Sequence, residues 1–245
     1  MHKLLFLMLF TVNSVMAQSG DHFSYQVNNQ NYDGYYIDAG KNSPLILLVH
    51  DWDGLTDYEV TRANMLTKLG YSVMAADLFG SGVRPRKVVD KKQHTGELYR
   101  DRVKMRKLLN GALNAAQAKG ASLKNVIAVG YCFGGAAILE LARTGADIKA
   151  FVSFHGGLKT PKGQDYSKAK GEYLIFHGRA DRAIKIEDFT ALAQELNSAK
   201  LPSELITYGG ANHAFTVYGG KNYNKNADEK SWNRFIKFLD NKFAK

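Results

Sequence analysis

The chain has 245 residues, 45% hydrophobic and 23% charged, values that exclude a collagenous, low-complexity or largely disordered protein and fit one large α/β domain. Its formal charge of +10 is dispersed, with no basic run longer than two residues beyond position 20, so it reads as a solvated surface and not as a nucleic-acid interface. The single cysteine, Cys132, excludes an intrachain disulfide.

Residues 1–17 have the layout of a secretory signal: Met1-His2-Lys3, an apolar run over 4–10, and Val15-Met16-Ala17 with small residues where a signal peptidase cuts. Thr11, Asn13 and Ser14 interrupt the run before it reaches the ~20 apolar residues of a membrane span. The expectation is cleavage after Ala17, a periplasmic or secreted domain over 18–245, and no membrane span thereafter. A lone thiol in such a compartment needs burial or a use.

Residues 23–39 alternate around Asn28-Asn29-Gln30-Asn31, which predicts an antiparallel hairpin. The apolar run 45–50 predicts a strand buried on both faces. Thr56 caps a helix over 57–69 that Gly70 stops, and 71–76 returns as a buried strand. Residues 79–95, with two glycines and Pro85, predict a long connection before a helix over 97–119. Strands at 126–129, 150–154, 173–176 and 205–208 then alternate with helices at 136–143 and 186–199. An amphipathic helix over 228–242 places Trp232, Phe235, Phe238 and Leu239 on one side. This alternation implies a mostly parallel central sheet flanked by helices on both faces, with chemistry on loops at the carboxyl ends of its strands.

Gly130-Tyr131-Cys132-Phe133-Gly134-Gly135 follows one predicted strand directly and precedes a helix, the setting of a nucleophile elbow with Cys in place of Ser. The glycines leave room for neighbouring backbone at a strained turn, the helix N-terminus favours a thiolate, and the Phe133 amide is placed to stabilise an oxyanion. The partner acid and base should follow in that order on later strand ends. Asp181, in His177-Gly178-Arg179-Ala180-Asp181, and His213, in Gly209-Gly210-Ala211-Asn212-His213, meet that requirement. His213 is thus the expected base and Asp181 the acid that orients it. His50, His155 and His177 end strands too early in that order and read as structural; without ligand spacing around them, neither metal nor cofactor is expected. Trp52 and Phe133 either line the site or fill the core.

Together with His50-Asp51-Trp52-Asp53-Gly54-Leu55, Ala76-Asp77-Leu78-Phe79, Phe154-His155-Gly156 and His213-Ala214-Phe215, these segments resemble the dienelactone hydrolase family over nearly all of the chain beyond residue 17. The resemblance implies an α/β-hydrolase fold without a separate lid domain, a Cys132-His213-Asp181 triad, no metal, and a second oxyanion donor in the Trp52 amide. It also implies that Asp51 is the carboxylate that helps deprotonate the thiol, one methylene shorter than the family's usual Glu. Ser81 and Val217 stand where that family holds a substrate carboxylate with two arginines. Arg84 or Arg86, in the loop, is the candidate to replace them, and dienelactone itself fits poorly as substrate.

The expected activity is cleavage of a small ester or lactone through an acyl-enzyme, by a monomer or small homo-oligomer. The rival readings are a catalytically silent fold that binds a small molecule or a partner protein, favoured by the shortened Asp51, and thiol redox chemistry, disfavoured because no resolving cysteine is present.

Overall fold

The computed structural model describes residues 20–243, and the leader expected over 1–17 lies outside them. In chain order the elements are β1 (Asp21–Val27), β2 (Gln30–Ile37), β3 (Leu45–Val49), α1 (Asp57–Thr67), β4 (Ser72–Ala76), α2 (Val88–Arg100), α3 (Arg102–Ala118) and β5 (Val126–Tyr131). They continue as α4 (Phe133–Ala142), β6 (Ala150–Phe154), β7 (Glu172–Gly178), α5 (Ile186–Ser198), β8 (Ser203–Tyr208) and α6 (Lys225–Lys242).

The strands form one eight-stranded sheet in the order β1-β2-β4-β3-β5-β6-β7-β8. The hairpin β1–β2 joins antiparallel, through β2 on β4, and every later pairing is parallel. Burial on both faces explains the unbroken apolar runs: along β3, Leu45, Leu47 and Val49 pack into one core layer with residues of α3, α4 and α5. Ile46 and Leu48 point the other way, into a layer with Ala63 and Leu66 of α1 and Phe235 and Leu239 of α6.

The helix expected over 97–119 is two helices. Asp101, at φ −109° and ψ 78°, breaks it, and its carboxylate accepts from the Lys104 amide at 2.8 Å to cap α3. The connection expected over 79–95 is correspondingly shorter, because α2 begins at Val88. Likewise α4 starts directly at Phe133 and not at Ala136, so its glycines lie inside the first turn. Thr56 caps α1 as expected, and Glu59 closes the capping box by accepting from the Thr56 amide at 2.8 Å.

Candidate active site

Cys132 sits between β5 and α4 at φ 50° and ψ −111°, a conformation that L-residues adopt only under restraint. The restraint is visible in the backbone around it. The Cys132 amide donates to the Phe154 carbonyl at 3.0 Å, and its own carbonyl accepts from Gly135 at 3.1 Å and Gly157 at 3.2 Å. Two glycines make the turn possible: a Cβ on Gly130 would lie 2.2 Å from the Gly134 oxygen, and one on Gly134 2.3 Å from the Val49 oxygen. The sequence therefore brings α4 against the ends of β3 and β5, with the half-buried thiol at the bend.

The ends of β7 and β8 supply the partners. Cys132 Sγ lies 3.0 Å from His213 Nε2, and His213 Nδ1 lies 2.8 Å from Asp181 Oδ2. The other carboxylate oxygen of Asp181 accepts from the Ala183 amide at 2.8 Å and the Ile184 amide at 2.9 Å, which fixes the carboxylate plane. These bonds outweigh burial and hold Asp181 below the usual carboxylate range. Burial opposes a charge on His213 as well, but its bonds to Asp181 and Cys132 prevail and push it up to about 10. The three residues expected as a triad are thus in one continuous hydrogen-bonded line.

The amides of Phe133 and Trp52 donate to no protein group among the described residues, the Phe133 amide being the first of α4 and hence without a helical acceptor. Of the two aromatic side chains, only Phe133 is a core residue. Phe133 is buried against His50, Phe79 and Tyr99, whereas Trp52 is half-buried with the Lys91 ammonium 5.2 Å from its ring centroid.

Asp51 is buried beside this line, and burial pushes its carboxyl up to about 6. No hydrogen bond among the described residues joins it to Cys132; instead its Oδ1 accepts from the Asp53 amide at 2.8 Å, a turn that the short side chain favours. Arg84 is placed differently from the expected substrate contact. Its guanidinium donates to the carbonyls of Leu55, Val83 and Asp33 and lies 3.5 Å from the Asp77 carboxylate, so it braces the loops after β3 and β4.

The other histidines have structural partners or packing. His50 donates from Nδ1 to the Asp51 carbonyl at 2.6 Å and accepts at Nε2 from the Leu78 amide at 3.1 Å, and burial brings it down to about 4. His155 Nε2 lies 2.8 Å from Thr216 Oγ1, and His177 stacks on Phe189. Sequence reasoning missed two neighbours. Glu59 is buried with one oxygen unpaired, and burial, aided by Asp51, pushes it up to about 8. Tyr99, at the end of α2, packs its ring 5.5 Å from that of Phe133. The capping-box spacing from Thr56 signalled Glu59, but nothing in the pattern pointed to Tyr99.

The dienelactone hydrolase family model matches residues 33–243, so it runs from within β2 through α6. The chain belongs to the dienelactone hydrolase family. Membership places it among hydrolases of small esters and lactones. It is 30% identical to the uncharacterized protein K02A2.1 of Caenorhabditis elegans over 151 residues, 58% of this chain and 96% of that protein. Its fold is similar to that of P91, a dienelactone hydrolase-like promiscuous phosphotriesterase from metagenomic libraries, with a TM-score of 0.85 and 28% identity over 92% of this chain and 99% of that one. The m3DLH structure gives a TM-score of 0.86 at 28% identity, covering 93% of this chain and 100% of the other.

Proposed function

We propose that this family member hydrolyses a small carboxylic ester or lactone through an acyl-enzyme on Cys132. The observation that carries the reading is the line Cys132 Sγ, His213 Nε2, His213 Nδ1, Asp181 Oδ2, with contacts of 3.0 and 2.8 Å. Sγ attacks the carbonyl carbon, forming a C–S bond and an oxyanion that the Phe133 and Trp52 amides receive. The C–O bond then breaks, and the departing alkoxide takes the proton from His213 Nε2. In the second half, His213 removes a proton from water, whose oxygen attacks the thioester. The C–S bond breaks, releasing the carboxylic acid and restoring the pair. Asp181 holds the imidazole in the required tautomer throughout.

Asp51 contributes its charge: when ionised, it favours the imidazolium form of His213. Export to the periplasm or the medium belongs to the same proposal and rests on residues 1–17.

The test is turnover of para-nitrophenyl acetate by wild type and Cys132→Ala. The expected loss in kcat is on the order of 10³-fold or more, as for removal of other enzymic nucleophiles. Equal rates in the two proteins would reject the acyl-enzyme and leave a fold that only binds.

A further inference from the structure

Behind the triad lies a second set of buried polar groups, and it converges on the loop that carries His213. His155, directly after β6, is fully buried, and its ring stands edge-on to that of His213, with centroids 5.5 Å apart and planes at 67°. Its Nε2 lies 2.8 Å from Oγ1 of Thr216, three residues past His213 in the same loop. One imidazole therefore touches both ends of the segment 213–216. The turn between them needs such support: Ala214 sits at φ 61° and His155 itself at φ 42°, conformations that L-residues keep only where the surroundings over-determine them. In the loop after β6, the Gly157 amide also holds the Cys132 carbonyl at 3.2 Å, so one loop braces both the nucleophile and the base.

The hydrogen bonds beyond Thr216 decide which nitrogen of His155 carries a proton. Arg62 can only donate, and its Nε gives to the Tyr58 hydroxyl at 3.2 Å. The Tyr58 oxygen lies 2.6 Å from Thr216 Oγ1, the one acceptor among the described residues for the phenolic proton. Tyr58 thus donates to Thr216, and Thr216 donates to His155 Nε2. In that order a single group, Nδ1–H of His155, is without a partner among the described residues. The opposite tautomer leaves two, the Nδ1 lone pair and a hydroxyl proton, and each buried unpaired group is costly. The charges around the ring act in the same direction. Burial first, then His213 beyond β8, Arg62 of α1 and His177 at the end of β7 hold the His155 pKa well below the ordinary histidine value, and Tyr131 is the other titratable ring packed against it.

Resting on the ester-hydrolase reading, we propose that His155 is a positioning residue for His213, held as the neutral Nδ1–H tautomer by the donor chain Arg62, Tyr58, Thr216, and that its ring and Thr216 together keep the His213 imidazole turned toward Cys132. His155 touches neither substrate nor the reacting atoms, and no proton leaves it during turnover.

Two readouts test this. In nitrogen-15 spectra at pH 7, with the His155 signals assigned by their loss in His155→Gln, Nε2 should have the shift of an unprotonated ring nitrogen and Nδ1 that of a protonated one. With para-nitrophenyl acetate, Thr216→Val removes the hydroxyl at nearly constant volume and should lower kcat about tenfold or more while KM stays within about threefold, the signature of a displaced catalytic group. Thr216→Ser, which keeps the hydroxyl, should restore kcat. Tyr58→Phe removes only the ordering donor; it should lower kcat in the same sense and mix the two His155 tautomers, and it carries the test if Thr216→Val does not fold. A proton on Nε2 of wild-type His155, or a kcat per folded molecule within about twofold of wild type in Thr216→Val or, failing that, in Tyr58→Phe, overturns the proposal. If wild type still turns over esters and Cys132→Ala does not, only the role of His155 falls; no turnover of any ester by wild type overturns both readings.

Discussion

His50 shows how a single side chain can serve the site without touching substrate. Its neutral ring links the carbonyl of Asp51 to the amide of Leu78, so it ties the loop that carries the Trp52 amide to the loop after β4. Burial lowers its pKa from 6.5 to about 4, and the folded protein therefore binds fewer protons than the unfolded chain between those values. Its contribution to stability is complete above about pH 6.5 and is lost as the pH falls through about 4, a swing of about 3 kcal/mol. His50→Gln should lower stability at neutral pH by about 2 kcal/mol, from the broken bridge. It should also flatten the decline in urea-unfolding free energy between about pH 7 and 4. A variant that declines as steeply as wild type would show that other groups govern the acid limb. The neutral His50 was not legible as a bridge, because its acceptor and donor are backbone groups that pattern reading does not weigh.

Among elements, α1 and α6 are joined by a buried ion pair. Arg62 of α1 reaches Asp228 of α6 at 2.5 Å, with side chains 1% and 5% exposed, and also donates to the Thr216 carbonyl at 3.1 Å. The Arg62 guanidinium lies 4.6 Å from the Tyr218 ring centroid and 4.9 Å from that of Trp232. Removing one member leaves the other charged and desolvated, so Asp228→Ala should cost about 3–5 kcal/mol. The double variant Arg62→Met/Asp228→Leu should recover most of that loss in chemical denaturation. A double variant no better than the single would show that the packing of Arg62 against the rings matters more than its charge. The sequence exposed α6 through its aromatic side, whereas α2 before its last turn was missed because it offers little apolar periodicity. Val88-Val89 is exposed, Gly96 sits mid-helix, and only Thr95 and Leu98 are buried. The break at Asp101 was hidden for a related reason: Met105, Leu108, Leu109 and Ala112 set a strong helical period that a pattern reading extends back across the cap.

At the scale of the molecule, the parallel strands and the elbow were legible because each catalytic candidate follows a predicted strand within a few residues, buried in β5 and β7 and partly exposed in β8. The sheet order was not, since placing β4 between β2 and β3 depends on pairings distant in sequence. The role expected for Arg84 failed to appear for a similar reason: carbonyls of Asp33 in β2, Leu55 after β3 and Val83 in its own loop converge on its guanidinium, and no local pattern announces that. Chain order was enough to bring Cys132, Asp181 and His213 together as candidates because β5, β7 and β8 run in one direction and deliver their ends to one rim.

The backbone of Cys132 carries a hidden consequence for robustness. An L-residue held at φ 50° and ψ −111° stores about 1–3 kcal/mol of strain, which glycine would shed, returning up to about 1 kcal/mol through its looser unfolded chain. Cys132→Gly should therefore melt at a higher temperature than wild type in calorimetry while hydrolysing nothing, and a lower melting temperature would locate the tension elsewhere. The working protein is held short of the heat tolerance its own scaffold permits, and the margin it forgoes resides in a single bond rotation at the sulfur-bearing residue.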